Sequence, residues 1–311
     1  AYVFVFGDWS SDVCSSDLSI PFAMAKRLQT GSDKTTLYKH ILVRTAKLVF
    51  FGFLVNGLLH FTWGSMRWAG VLQRIGISYG AASIIAMNSK PKTQGWIFAG
   101  ILVLYWLAMV LIPVPGYGAG VLTPEANLAS YLDREFLPGR FCCFTFGDNE
   151  GLLSTLPAVA TCLMGVLTGH WLRSGHPPER KTLFMVLAGL ASLGLALVWD
   201  LVFPINKLIW TSSYVLFAGG WSLLLLSLFY WIIDVKGMQR WSFAFTVIGM
   251  NAITIYLVQA LFRFSTITDI FVHGFVHHLG DFRPAFYIAA TLCVKWLFLY
   301  FLYRQKIFLK A

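Results

Sequence analysis

Four groups of polar residues interrupt an otherwise apolar chain, and their types and spacing suit chemistry. Gly70-Val71-Leu72-Gln73-Arg74-Ile75-Gly76 sets an amide and a guanidinium about one turn into an apolar run. A guanidinium there grips a phosphate or carboxylate through two parallel N–H bonds, braces a neighbouring acid, or snorkels to the interface. Asp148-Asn149-Glu150-Gly151 places two carboxylates at the start of another run. They complement a helix dipole as caps, or they face a cationic amine or tune a base. Asn206-Lys207, followed by Trp210, Ser213 and Tyr214, forms a dense hydrogen-bonding entry to a third run. Ser and Thr there can bond across helices, while Trp and Tyr also serve as interfacial anchors. Asn251, in Gly249-Met250-Asn251-Ala252, lies midway along a fourth, where an amide must be satisfied by another helix or a wet cavity. Lys295 is a further cation in mid-run, and it either pairs or snorkels.

Other reactive residues group less usefully. His273 and His277 are four apart with His278 adjacent, a spacing for two metal ligands on one helical face. No Cys or carboxylate at matching spacing completes a set, so no metal is expected. His60 ends a run and is ambiguous, and the adjacent Cys142 and Cys143 are too close in sequence to bridge each other readily. The phosphate-binding, dinucleotide and serine-nucleophile signatures are absent.

The elements that position these groups follow from composition. Of 311 residues 57% are hydrophobic and 12% charged, with a mean hydropathy of +0.68. A soluble domain carries about 25% charge, so this chain cannot cover a water-facing surface and reads as an integral membrane protein. Eight segments reach the roughly 20 apolar residues that a helix needs to span lipid. They are Ile41–His60, Val71–Ser89, Trp96–Val114, Gly151–Leu172, Lys181–Phe203, Leu208–Ile233, Trp241–Phe264 and Pro284–Tyr303. The expected fold class is all-α: a polytopic helix bundle of eight complete spans plus the remnant of an N-terminal one.

Net charge is +10, but the cations lie in short segments between spans, where they set topology instead of forming a nucleic-acid stripe. One side collects sixteen Lys and Arg and the other seven, which puts the first side, with the C-terminus, in the cytoplasm. The 36-residue connection 115–150 is then external and a candidate substrate-side lid. Residues 1–18, AYVFVFGDWSSDVCSSDL, show neither helical nor strand periodicity. They resemble translated sequencing-adapter read-through, so the expected organisation is a non-native tail at 1–18 and one transmembrane domain over 19–311.

Taken in order, GVLQRIGISY, D-x-E-G before a Leu-rich span, PINK with W-x-x-SY, GMNAITIY and the terminal YRQKIF resemble the heparan-α-glucosaminide N-acetyltransferase family and its bacterial membrane homologues. The likeness runs from about Ser19 to Lys310. It implies transfer of an acetyl group from cytosolic acetyl-CoA, as co-substrate, to the amine of a glucosamine-type sugar on the periplasmic side of a bacterial inner membrane. Amino-sugar acceptor and lipid are the implied partners, nucleic acid is not, and homo-oligomerisation stays open. Gln73, Arg74, Asn206, Lys207, Trp210, Ser213, Tyr214 and Asn251 are the implied substrate- or CoA-binding residues, with Asp148 and Glu150 the catalytic candidates. The family's catalytic histidine precedes its counterpart of Ser19, and none of the seven histidines here matches it, so this chain as written is expected to be inactive. A sugar or envelope-precursor transporter, or an O-acyltransferase of envelope glycans, is the alternative reading.

Overall fold

Long apolar runs give a backbone no hydrogen-bond partner in lipid except its own next turn, so helix is the form they take. The computed structural model describes residues 18–24, 33–61, 64–142 and 145–309, without the side chains of residues 60 and 275–279. Among these residues the fold is all-helical, and pairing of the β type is limited to two isolated bridges. Residues 18–24, where the last turns of an N-terminal helix are expected, are helical. The adapter-like segment before them lies outside the described residues.

The chain divides between Met238 and Gln239 into two compact units. The larger begins with α1 (Lys34–Val55), α2 (Val71–Asn88) and α3 (Pro91–Leu111). The long connection carries the short α4 (Leu128–Phe136), and α5 (Thr155–Leu172), α6 (Pro178–Asp200) and α7 (Ser212–Tyr230) follow. Pro91 and Pro178 open their helices at positions where a missing N–H is of no consequence. Asn127 and Thr211 cap α4 and α7 by accepting from the N–H groups of Ser130 and Tyr214.

Within this unit α1 packs on α2, α2 and α3 pack on α5, and α6 packs on α7. The α6–α7 approach is close enough to need glycine. A Cβ on Gly220 would sit 2.9 Å from the Gly189 carbonyl oxygen, the small-residue contact that lets membrane helices meet backbone to backbone. Leu187, Leu195, Leu197 and Val198 on α6 stay exposed, as side chains do when lipid is the neighbour. At the end of the bundle that carries the long connection, Tyr105, Met109, Leu128, Phe203 and Ile209 form one buried cluster. That cluster fixes α4 and the α6–α7 turn relative to α3.

The C-terminal unit contains α8 (Phe243–Met250), α9 (Ala252–Leu261), α10 (Phe264–Val276) and α11 (Arg283–Arg304). Val247, Leu299 and Leu302 form its core. Lys295 Nζ lies 3.4 Å from Gln259 Oε1, so this mid-helix cation is paired.

Among the described residues, five helices are long and apolar enough to cross a membrane: α3, α5, α6, α7 with its continuation to Val235, and α11. This fits an integral membrane protein, though not yet the expected count of eight. The run expected as one span over Trp241–Phe264 is instead a pair of helices bent by 56°. Asn251 sits at the break with φ −128° and ψ 26°, outside helical geometry, and short amide side chains favour such exits from the helix. The expected spans at Ile41–His60 and Val71–Ser89 do form α1 and α2. Lys34, Lys39, Arg44 and Lys47 dilute the first, and Gln73, Arg74 and several small residues dilute the second.

Candidate functional site

A buried charge needs a partner of opposite sign or several hydrogen bonds. Asp148, at the end of the long connection, has both. Arg67 Nε donates to its Oδ2 at 2.7 Å and Nη2 to its Oδ1 at 2.5 Å. The backbone N–H groups of Cys142 and Glu150 donate to the same carboxylate at 3.0 Å each. Arg67 Nη2 also pairs with Glu150. Burial works against the charge on Asp148, but these bonds outweigh it and hold the carboxyl below its ordinary range. Two acids share one guanidinium, so burial and the neighbouring Asp148 push Glu150 upward. For Arg67 too, burial opposes the charge and the two acids overcome it, raising its pKa.

The reading of Asp148 and Glu150 as helix caps therefore fails. The helix begins later, at Thr155, with Ser154 in the N-cap position, and the acids are consumed by an arginine 81 residues upstream. A third acid completes the group. Asp133 on α4 is 1% exposed. Its two oxygens accept from the N–H groups of Asp148 at 3.2 Å and Leu152 at 2.9 Å. No ion pair to it is found among the described residues, and burial pushes its pKa up to about 6 against the pull of those two bonds. A Cβ on Gly151 would strike the Asp133 carboxyl, so this glycine allows the close approach.

Arg74 stands beside this cluster. Nη1 donates to the Asn149 carbonyl at 3.0 Å, and Nη2 donates to the Ser154 carbonyl and hydroxyl at 2.5 and 2.7 Å. Its guanidinium carbon lies 4.4 Å from the Trp210 ring centre, a cation–π contact. Trp210 in turn donates Nε1–H to Thr161 Oγ1 at 3.2 Å and meets Tyr214 edge-on at 5.1 Å. Trp210 holds φ +52°, a left-handed backbone that costs a bulky residue of order 1–3 kcal/mol. The strain is held by the stack on Arg74 and by the turn beneath it. In that turn Asn206 Oδ1 accepts from Leu208 N–H, Asn206 N–H donates to Thr211 Oγ1, and Thr211 N–H donates to the Asn206 carbonyl.

Asn206, Trp210, Tyr214, Arg74, Asp148 and Glu150 are thus drawn to one end of the larger unit. Ser213 donates to the Phe203 carbonyl at 2.6 Å and braces the same turn. Lys207 is exposed. Gln73 is buried between Gly52 and Gly70, and neither amide atom has a hydrogen-bond partner among the described residues. Asn251 belongs to the C-terminal unit, 2% exposed, with Nδ2 unpartnered and Oδ1 accepting from Thr254.

Arg67, Asp133 and Asn127 were not among the residues singled out in the sequence. Arg67 reads there only as a topological cation, although a pair of acids at a bundle end signals the need for one. Asp133 carries no local signal. A narrow cleft, roomy enough for little more than a water molecule, is lined by Asn127, Ser130, Asp133, Asp148, Asn149 and Asn206 among others. Among the described residues no three His, Cys, Asp or Glu side chains group as a metal site. The side chains of His60, His277 and His278, and all of Cys143, lie outside the described residues.

No family model matches the chain. It is 26% identical over 300 residues to the heparan-alpha-glucosaminide N-acetyltransferase of Homo sapiens and 27% identical over 294 residues to that of Mus musculus. The alignments cover 79% and 77% of this chain and 45% of each relative, so the chain spans less than half the length of the curated relatives it matches. Over that stretch, and in the order of its motifs, the chain is similar to heparan-alpha-glucosaminide N-acetyltransferases.

Proposed function

We propose that the chain is the membrane core of an N-acetyltransferase that moves an acetyl group from acetyl-CoA to the amine of a glucosamine-type sugar across a bacterial inner membrane. In this reading α1 and α2 complete the set of spans with the bent α8–α9 pair, the C-terminus is cytoplasmic, and residues 19–311 act as one domain. The supporting observation is the convergence of Arg74, Trp210, Tyr214, Asp148 and Glu150 at one bundle end, in a chain aligned to acetyltransferases.

The chemistry divides between donor and protein. A thioester is already activated, so the protein must position the amine, take up its proton and balance charge. Arg74 is committed to backbone carbonyls and a ring, and so serves as the brace that holds residues 149–154 against the strained Trp210 turn. Asp148 and Glu150, bound by Arg67, set the shape and field of the entrance. Acetyl-CoA is multiply anionic, and the cationic segments on the expected cytoplasmic side suit its phosphates.

The test is transfer of labelled acetyl groups in membranes carrying the chain, with acetyl-CoA and glucosamine on opposite faces. Label on the sugar amine is the expected result. Sugar that crosses unmodified, or label on hydroxyls alone, would overturn it in favour of transport or O-acylation.

A further inference from the structure

The three acids at the bundle end are not equivalent. Asp148 and Glu150 are tied to Arg67, and Asp148 also holds two backbone N–H groups. Asp133 holds only backbone N–H groups, is 1% exposed, and lines the cleft. Asp133, Asp148 and Glu150 against Arg67 and Arg74 leave the group one negative charge in excess, and Asp133 is where it stands without a cation. The cleft wall also carries one vacant acceptor. Asn149 Oδ1 is buried there with no hydrogen-bond partner among the described residues, a deficit that a ligand or water normally fills.

A buried carboxylate without a cationic partner, on the same cleft as an unpartnered amide oxygen, suits a small N–H-rich cation. We infer that Asp133, with Asn149 Oδ1, binds the ammonium group of the acceptor and is the residue that distinguishes an amine acceptor from its acetylated product. This rests on the acetyltransferase reading for the identity of the amine, whereas the cation preference rests on the cleft alone. Acetylation turns the ammonium into a neutral amide, removes the ion pair, and so favours product release.

Three charged or titratable groups bear on Asp133 through space. Asp148 raises its proton affinity and Arg74 lowers it, and Tyr105 lies nearby with its hydroxyl donated to the Ile209 carbonyl. On α4 itself Arg134 is engaged at the Phe146 carbonyl. With Asp133 losing its charge near pH 6, cation affinity should fall on acidification while affinity for a neutral sugar should not.

The experiment measures binding of glucosamine, N-acetylglucosamine and glucose to the purified chain at pH 7.5 and pH 5.0, by calorimetry or ligand-induced thermal shift. Glucosamine is expected to bind at least about tenfold more tightly than either neutral sugar at pH 7.5, the scale of one charge-assisted contact, and to lose most of that advantage at pH 5.0. Asp133→Asn should abolish both the preference and its pH dependence. Because Asn offers one acceptor oxygen to two N–H groups and can loosen α4, the pH dependence of the unaltered chain is an independent test. No glucosamine binding, equal binding of the neutral sugars, or a pH dependence that survives in Asp133→Asn would overturn the inference. Acetyl transfer with an unchanged KM in Asp133→Asn would refute Asp133 and leave the acetyltransferase reading intact. Selective amine binding in a protein that transfers no acetyl group would do the reverse.

Discussion

Replacing Arg67 by Ala removes the only guanidinium shared by Asp148 and Glu150 among the described residues. The Asp148 side chain is wholly buried and that of Arg67 is 15% exposed. Breaking a buried pair from one side costs about 3–5 kcal/mol, and the partial exposure of Arg67 puts this case near the lower end, about 3 kcal/mol. At about 2–4 °C per kcal/mol for chains of 150–250 residues, and somewhat less for a longer one, the melting midpoint should fall by roughly 5–10 °C. Thermal unfolding in detergent, followed by tryptophan fluorescence at pH 7, measures this. Acid supplies the control. In the unaltered chain Asp148 has a depressed pKa, so its contribution is present above the unfolded value near ~3.9 and is lost only as pH falls through the lower folded one. Without Arg67, burial is opposed only by the two backbone N–H bonds, so the carboxyl should take up its proton more readily as pH falls from 7 to 5, and the gap between the two proteins should narrow. Arg67→Ala combined with Asp148→Asn should recover part of the loss at pH 7. An unchanged midpoint at pH 7, or a gap that does not narrow toward pH 5, would refute the reasoning.

Asp133 gives the opposite pH signature. Its folded pKa of about 6 exceeds the unfolded 3.8, so protonation favours the fold, and stability should rise by about 2–3 kcal/mol as pH drops from 7.5 toward 4; Asp133→Asn should flatten that slope in the same melting assay. Arg74→Lys keeps a charge but cannot reach the Asn149 and Ser154 oxygens and stack on Trp210 together, so acetyl transfer should fall at least about tenfold with expression unchanged. Gly220→Ala drives a methyl group to 2.9 Å from the Gly189 carbonyl and should cost about 1–3 kcal/mol, read as a lower midpoint and weaker α6–α7 crosslinking between introduced cysteines. Asn251→Leu removes a buried amide with an unpartnered Nδ2 and should leave the melting midpoint unchanged or higher. If the amide serves acetyl transfer, activity falls while stability does not.

Uniformly apolar runs of twenty residues admit one backbone solution in lipid, so α3, α5, α6, α7 and α11 were legible from composition. Their ends were less so. Gly151 looked like a helix start, but the stretch from Asp148 to Ser154 is occupied by bonds to Arg67, Arg74 and Asp133, and helical geometry waits until Thr155. Arg74, Trp210 and Tyr214 were found because polar or aromatic residues at a span entry are conspicuous by type. Arg67 and Asp133 were not, since one lies in a connection and the other on a short amphipathic helix, where charge is unremarkable until the fold buries it. The break at Asn251 was half legible: the amide was visible as costly, but nothing in a run of apolar neighbours says whether it pairs across helices or bends its own. The left-handed Trp210 carries no sequence signal, because tertiary contacts impose that backbone against the residue's preference.

The connection between α3 and α5 is fastened at several points. Gly139 packs over the Met66 carbonyl in the left-handed conformation only glycine takes easily, Arg67 holds Asp148 and Glu150, and Asp133 holds Leu152. A segment stitched down in this way should yield little, and a proteolytic cut within 115–150 should leave the severed halves seated in place.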